Sequence, residues 1–449
     1  MKLTILGGGG FRTPLVYGAL LARRERLGVD ELWLHDLDDQ RLQRVAAVLG
    51  GLQEEHGTAL PFRTTTDLGE ALEGADSVFC AIRVGGLDGR VLDEAIPLDQ
   101  GVLGQETTGP GGICYALRTV PVMMEIAEAT RKHAPNAWFI NFTNPAGLVT
   151  EAIQRVLGPR AIGICDSPSS LCRRVAHVLD RPAEDLWFDY FGLNHLGWLR
   201  AVRDGGEDRL PELLADDARL ESFEEGALFG GEWLRTIRMI PNEYLLYYYF
   251  NSDTVEAIRR HRETRAQFLR DQQAVFYEGN GQGPRDALRS WRDTRHARER
   301  SYMAEGRRAV GGDDVPPERP GSSVGGYEGV AMGVIEAIAL NTRATLILTV
   351  ANRSSMPFLD EAAVVEVPCV VGSSGAEPIA IGDVPGHAKG LIQTVKDIER
   401  TTIEAALTGS EELAVKAIAL HPVVPSVATA RRIFRAYADR QPALAGRFR

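Results

Sequence analysis

The sequence contains no apolar run approaching the ~20 residues that a bilayer-crossing helix requires, which excludes a helical membrane span. Cysteine is scarce. The five present (Cys80, Cys114, Cys165, Cys172 and Cys369) are odd in number and lack CxxC spacing, which argues against a disulfide framework and for a reducing, cytoplasmic compartment. Positive charge is in deficit, with 50 basic against 61 acidic residues and a formal net charge of -11. Such a surface argues against nonspecific binding to nucleic acid or anionic membrane, so neither is expected as a partner. Only five of the 50 basic residues are lysine, which bears on codon usage rather than on mechanism. The opening MKLTILGGGGFRTP lacks the long apolar region and cleavage site of a secretory signal. No short repeat absorbs the 47 glycines, which must therefore serve turns and close backbone approaches.

What is present is an ordinary globular composition, 44% hydrophobic and 25% charged over 449 residues. At ~150 residues per domain this predicts two or three domains. Up to about residue 190, short β-type runs alternate with helical patterns. Residues 3–6, 32–34, 77–82, 137–141 and 161–165 read as buried strands. An amphipathic stretch is expected at 14–24, and Asp38 can cap a helix carrying Leu42, Val45, Ala46 and Leu49. Strands separated by helices mean βαβ units. The fold expected is therefore α/β, a Rossmann-type doubly wound parallel sheet over residues 1–190, with ligands at the carboxyl ends of its strands. From about residue 186 the character changes. Residues 186–191 and 197–202 predict an antiparallel pair, followed by long helices at 254–277 and 286–305 and a loop at 311–326. A helix near 330–340, strands at 344–350 and 364–371, and terminal helices from 390 complete a C-terminal α+β domain over 191–449.

The turn Gly7-Gly8-Gly9-Gly10 follows the first strand and precedes a helix, so its N–H groups can approach a pyrophosphate. Asp36, after the second strand, can bond a ribose 2′-hydroxyl and would repel a 2′-phosphate, which favours NAD over NADP. The alternative is a tight turn and nothing more. A second glycine-rich region, RVGGLDGR and GQETTGPGG, sets Arg83, Arg90, Gln105, Glu106 and Thr107 beside the cofactor position. Arg90 has the forked donors to clamp an anionic or hydroxylated substrate, unless this is a solvated loop. Asn141 and Asn144 close the fifth strand, Cys165 and Asp166 the sixth, and Asn194-His195 lies in the turn of the antiparallel pair. A lone cysteine is usually core filler and a lone histidine structural; together at one cleft they can bind a divalent metal. The segment Pro241-Asn-Glu-Tyr244-Leu-Leu-Tyr-Tyr-Tyr-Phe250 reads as a helix with an aromatic face, or as a source of a tyrosine base. Arg262, Arg265 and Arg270 share the expected long helix, as a solvated face or with one side chain turned into the cleft.

These segments carry a resemblance. GGGG, GGLDGR, GQETTGPGG, NFTNP, CDSP, GLNHLGW and PNEYLLYYY occur in the order and spacing of glycoside hydrolase family 4. The chain is most similar to its 6-phospho-β-glucosidase branch. The resemblance continues through VEVPCVV, KDIERTTIEAALTG and ALHPVVP, essentially the whole chain. It implies a lactate/malate dehydrogenase-like fold and a glycosidase that uses NAD and a divalent metal, Mn2+ in most members, outside the two-carboxylate mechanism. It implies metal ligation by Cys165 and His195, a base at Tyr244, and substrate contacts from Arg90, Asn144 and Asp166, with Arg265 near the sugar phosphate. NAD would contact the glycine turn, Phe11, Asp36 and Arg83. The implied reaction runs through oxidation of C3 by NAD, metal-assisted C2 deprotonation, elimination of the leaving group with Asp166 as proton donor, water addition, and return of the hydride from NADH, with no net redox. The substrate implied is a phosphorylated disaccharide or glycoside, and the assembly a homodimer or homotetramer. Two positions depart from the pattern. Gly10 and Phe11 stand where phospho-glycosidases carry Ser or Thr, followed by Arg12; either this arginine takes over the phosphate, or the phosphate subsite is altered or lost and the substrate is non-phosphorylated. Asp166 is the α-type residue, where β-type members carry Asn.

Overall fold

The computed structural model describes residues 1–260, 264–279, 283–311 and 326–448. Arg262 and almost all of the loop expected at 311–326 fall outside the described residues. Strand β1 (Lys2–Leu6) reads KLTIL and buries its last four residues, as a strand covered on both faces should. With β2 (Glu31–His35), β3 (Phe62–Thr65), β4 (Ser77–Cys80), β5 (Trp138–Asn141) and β6 (Ala161–Gly163) it forms a parallel sheet in the order β6-β5-β4-β1-β2-β3. This is the Rossmann-type doubly wound order, whose direction switches between β1 and β4. The edge strand β3 was not singled out in the sequence.

The covering helices follow local rules. Asp38 accepts a bond from the Arg41 N–H at 3.1 Å and starts the helix Asp39–His56, which ends at Gly57 with φ 62°. Leu42, Val45 and Leu49 from this helix are fully buried, while Ala46 is half-buried. The stretch expected to be amphipathic at 14–24 instead ends at Leu21. The helix Thr13–Leu21 is apolar on most sides because it packs between Asp39–His56 and the helix Tyr327–Leu340 from the second half.

The hairpin of β7 (Trp187–Leu193) and β8 (Leu196–Asp204) forms as expected, with His195 in its turn at φ 61°. Strand β9 (Glu207–Asp208) pairs with β8, and β10 (Ile240–Pro241) closes this second sheet in the order β10-β8-β7. The strands β11 (Ala344–Ala351), β12 (Val364–Gly372) and β13 (Gly375–Pro378) do not stand apart. They add antiparallel to β6 and extend the first sheet to nine strands. The single helix expected at 254–277 is two, Asn251–Arg260 and Arg265–Glu278. The physical reason is a capping box: Thr264 Oγ1 accepts from the Gln267 N–H, and Gln267 Oε1 from the Thr264 N–H at 2.7 Å. Arg265 is thus the first residue of its helix. The next helix, Pro284–Arg300, stops short of the expected 305 and leaves Tyr302 in the turn beyond it.

Candidate active site

The glycine turn leaves β1 with its donors already directed. The Gly7 and Gly8 N–H groups donate to His35 O, and the Gly9 N–H donates to Asp36 Oδ2 at 3.1 Å. Gly7 sits at φ 85°, and a Cβ there would come within 2.7 Å of Ala81 O on the loop after β4, so the switch point closes only around glycine. The turn's carbonyls are tied down from the second half. Tyr277 donates to Gly9 O (2.9 Å), Trp291 Nε1 to Phe11 O (2.8 Å) and Tyr327 to Arg12 O (2.8 Å). The Phe11 ring is 6% exposed, edge-on to Phe276 and packed on Trp291. Of Phe11, then, only the main chain can meet a ligand, because its side chain fills the contact between the two halves.

At the carboxyl ends of β5 and β6 the polar residues divide by role. Asn141 spends its amide on Thr143, Ala146 and Thr150 and holds the loop. Asn144, half-buried before the cis bond to Pro145, accepts from the Ala146 N–H at 3.3 Å. Asp166 precedes the helix Ser167–Val178 without capping it by its side chain. Its carboxylate instead lies within electrostatic reach of Arg12, Tyr302 and Tyr327. Burial, with the Glu366 and Asp166 carboxylates nearby, pushes the Cys165 thiol well above its ordinary value.

His195 is fixed on two sides. Its ring stacks on Tyr244 with centroids 3.6 Å apart and planes 3° from parallel. Its Nδ1 lies 2.9 Å from Thr107 Oγ1, whose hydroxyl donates to Gln105 Oε1 at 3.0 Å. A hydroxyl that donates to Gln105 must accept from His195, so Nδ1 carries the proton and Nε2 keeps its lone pair. Burial holds the imidazole neutral, with a pKa down at about 3 despite the pull of Glu106. The neighbouring space is a cavity of about 50 Å³ walled in part by Thr107, Asn194, Tyr248, Glu399 and His421. Tyr244 is within reach of the charges of Cys165, Glu243 and Glu106, and burial above all raises its pKa well above 10.0.

Arg83 and Arg90 converge on one carboxylate. Arg83 Nη1 is 2.8 Å and Arg90 Nη1 3.1 Å from Glu106 Oε2, and Arg90 Nε is 2.7 Å from Glu94 Oε1. Arg90 is only 4% exposed, so most of its fork is committed to protein carboxylates. Arg265 bonds the Ser301 carbonyl and hydroxyl, and its guanidinium lies over the Tyr302 ring at 5.3 Å. The Arg12 guanidinium lies over the Tyr327 ring at 4.9 Å. Arg298 went unnoticed in the sequence, one arginine of several in the helix Pro284–Arg300. Burial, and then the charges of Arg12, Arg265 and Arg90, drive its pKa well below 12.5. It forms no ion pair or side-chain hydrogen bond among the described residues. Glu243 and Glu366 were also missed, although a lone glutamate in the apolar run VEVPCVV is a legible signal. Glu366 accepts from Asn194, Thr349 and Tyr190, and burial pushes its pKa up to about 7.

No group of three or more His, Cys, Asp or Glu side chains suited to a metal occurs among the described residues. Cys165 and His195 nevertheless fit a divalent ion: a thiol that is costly to ionise without a cation beside it, and a neutral imidazole with an idle Nε2. Two protein ligands leave positions for substrate oxygens.

Comparison with known proteins gives a consistent result. The signature of family 4 glycosyl hydrolase matches residues 2–181, and that of the family 4 glycosyl hydrolase C-terminal domain matches 190–424. A 6-phospho-alpha-glucosidase of Leptotrichia buccalis is 32% identical over 448 residues, covering 96% of this chain and 96% of its own. A 6-phospho-beta-glucosidase of Escherichia coli is 31% identical over 437 residues, covering 95% and 92%. Among solved structures, the 6-phospho-beta glucosidase from Thermotoga maritima with manganese, NAD+ and glucose-6-phosphate superposes with a TM-score of 0.82 at 28% identity, covering 98% of both chains.

Proposed function

The chain belongs to the family 4 glycosyl hydrolases, and from that premise we propose that it hydrolyses 6-phosphoglucosides with the help of NAD and a divalent cation, without net redox. The observation that carries the reading is the arginine group of Arg12, Arg265 and Arg298, which through Arg12 reaches Asp166, the neighbour of Cys165. Arg12 and Arg298 form no ion pair among the described residues, and a sugar phosphate supplies an anion with two negative charges.

NAD would lie along the glycine turn and the N-terminus of the helix Thr13–Leu21, with Asp36 at its ribose, and the cation between Cys165 and His195. When bound, NAD supplies reversible hydride removal at the sugar ring and the cation supplies Lewis acidity toward the sugar oxygens. The chain's own residues do the rest. The arginines fix the phosphate and so set the ring's register. Tyr244 takes the proton from C2, and Asp166 faces the departing group as its acid. Thr107 and Gln105 hold the His195 tautomer that leaves Nε2 free.

The anomer proposed is β, from the run of motifs through the chain. Asp166, the residue of α-type members, favours the second reading, an α-glucosidase of the same mechanism. One grid tests both: hydrolysis of aryl α- and β-glucosides, with and without 6-phosphate, under NAD, manganese and reductant. Turnover of the 6-phospho-β-glucoside without NADH accumulation is expected. Preference for the unphosphorylated compounds would sink the phosphate reading, and net NADH formation would identify a dehydrogenase.

A further inference from the structure

Arg41 stands in the first turn of the helix Asp39–His56, just after the cap at Asp38. A cation there works against the helix dipole, which favours negative charge at an N-terminus. Asp36, Asp38 and Asp39 are close in the chain, yet Arg41 forms no ion pair among the described residues. Its Nε is buried with no hydrogen-bond partner among them. What holds the side chain is an aromatic face, for its guanidinium lies over the Tyr277 ring at 4.1 Å. Tyr277 in turn donates to Gly9 O at 2.9 Å and ties the guanidinium to the glycine turn. Gly9 allows the approach. A Cβ on it would lie 2.9 Å from Arg41 Cβ and 3.0 Å from Asp36 Oδ2, so arginine and carboxylate meet at one point of the turn. The carboxylate faces the backbone there, with Oδ2 accepting from the Gly9 N–H at 3.1 Å and Oδ1 from the Asp38 N–H at 3.3 Å.

The end of the second strand is where the adenine ribose of a dinucleotide passes. Asp36 by itself accounts for a preference for a 2′-hydroxyl. It does not account for a guanidinium kept beside it, without an ion pair and against the dipole of its own helix. Arg44, one turn farther on, is turned away, with its Nε on Phe276 O at 2.9 Å and its guanidinium over the Phe276 ring. We propose that Arg41 reads the same ribose 2′ position as Asp36 with the opposite sign, so that a 2′-phosphate site is already built and one carboxylate keeps it closed; the proposal rests on the NAD reading above. The forked donors of Arg41 suit a phosphate, and the Tyr277 ring holds their plane, so little side-chain freedom is lost on binding. Asp36 opposes this. Its two backbone hydrogen bonds keep the carboxylate from turning aside, and a 2′-phosphate beside it meets like charge. Without that charge the site favours NADP.

The test is calorimetric binding of NAD and NADP to wild type, Asp36→Asn, Arg41→Met and the double variant. Asparagine keeps an acceptor oxygen for the turn and removes the charge. In Asp36→Asn the ratio of the two Kd values should move toward NADP by about 100-fold, making NADP the tighter ligand. Adding Arg41→Met should take back about 10–100-fold of that shift, the worth of one charge-assisted hydrogen bond. No shift in Asp36→Asn overturns the proposal. So does a shift of equal size with and without Arg41, which would leave the arginine only bracing Tyr277. If Asp36→Asn does not fold, adenosine 2′,5′-bisphosphate and adenosine 5′-phosphate, bound to wild type and Arg41→Met, carry the test. A loss selective for the bisphosphate supports the site, and an equal loss for both overturns it. A wild-type protein that binds neither NAD nor NADP overturns the cofactor reading itself, a result distinct from failure of the 2′ site alone.

Discussion

The helix Gly86–Asp99 carries two buried ion pairs one turn apart, and they are built on different terms. Asp93 meets Arg118 through two parallel bonds of 2.8 and 2.6 Å, with neither side chain exposed. The third nitrogen of Arg118 donates to Val84 O at 2.9 Å, and Gln441 Nε2 donates to Asp93 Oδ1 at 3.1 Å, so the group is satisfied and sealed. Arg90, on the next face, opens into a more varied group. Among the described residues, Arg12, Arg83, Arg90 and Arg298 gather with the carboxylates of Glu94, Glu106, Asp166 and Glu328, and Arg12 and Arg298 form no ion pair. The two groups thus have different outcomes. Where every charge is matched the pair fixes the fold, and where guanidinium groups without an ion pair gather, as at Arg12 and Arg298, we propose the place of the substrate's phosphate.

The comparison can be broken from either side. The largest effect is expected for Asp93→Ala, which strands Arg118 and should cost about 3–5 kcal/mol in thermal or urea unfolding. A variant as stable as wild type would erase the distinction. In the open group, Cys165→Ser should lose manganese-stimulated turnover by more than the roughly 10–100-fold that loss of an outer-shell partner costs. Its NAD affinity, followed by fluorescence, should be unchanged, and full retained activity would remove the ligand assignment. Arg298→Met should raise KM for a 6-phosphorylated substrate about 10–100-fold, the equivalent of one charge-assisted hydrogen bond. It should leave unfolding unaffected or slightly improved, because the side chain sits among like charges. Equal losses on phosphorylated and neutral substrates would break the anion reading.

The smallest effect belongs to a third kind of pair, at the surface. Asp360 is held down at about 2 by hydrogen bonds from Arg400, against some desolvation. The pair lies half in solvent, with side chains 55% and 35% exposed. A depressed carboxylate pKa adds stability above its unfolded value near 4, and that stability is lost as pH falls toward 2. Asp360→Asn should therefore cost less than about 1 kcal/mol at pH 7, with the difference from wild type shrinking between about pH 4 and 2.

Much of the fold was legible because its signals are local. The apolar run before Gly7, the cap at Asp38 and the hairpin around His195 each sit within a few residues of their cause. The Thr264 capping box was equally local and was passed over, so one long helix was expected where two exist. The packing of the Phe11 ring was hidden for a different reason. Its partners Phe276 and Trp291 lie more than 260 residues away, and no period or spacing links them. A shorter separation was enough to hide Tyr302 and Glu243, which are 59 residues apart in the chain and share a hydrogen bond.

By itself the sequence determined the alternation of strands and helices, the glycine turn with Asp36, and a set of ordered motifs sufficient to name a family. These depend on neighbours within a turn of helix or the length of a strand, where backbone sterics and periodicity act. Only the tertiary structure decided which arginines are matched and which is left over. It also decided that Phe11 is core and that Thr107 sets the His195 tautomer. Charge balance and hydrogen-bond satisfaction are settled by separations of a few ångströms between residues far apart in the chain, and those separations exist only once the two halves close on each other.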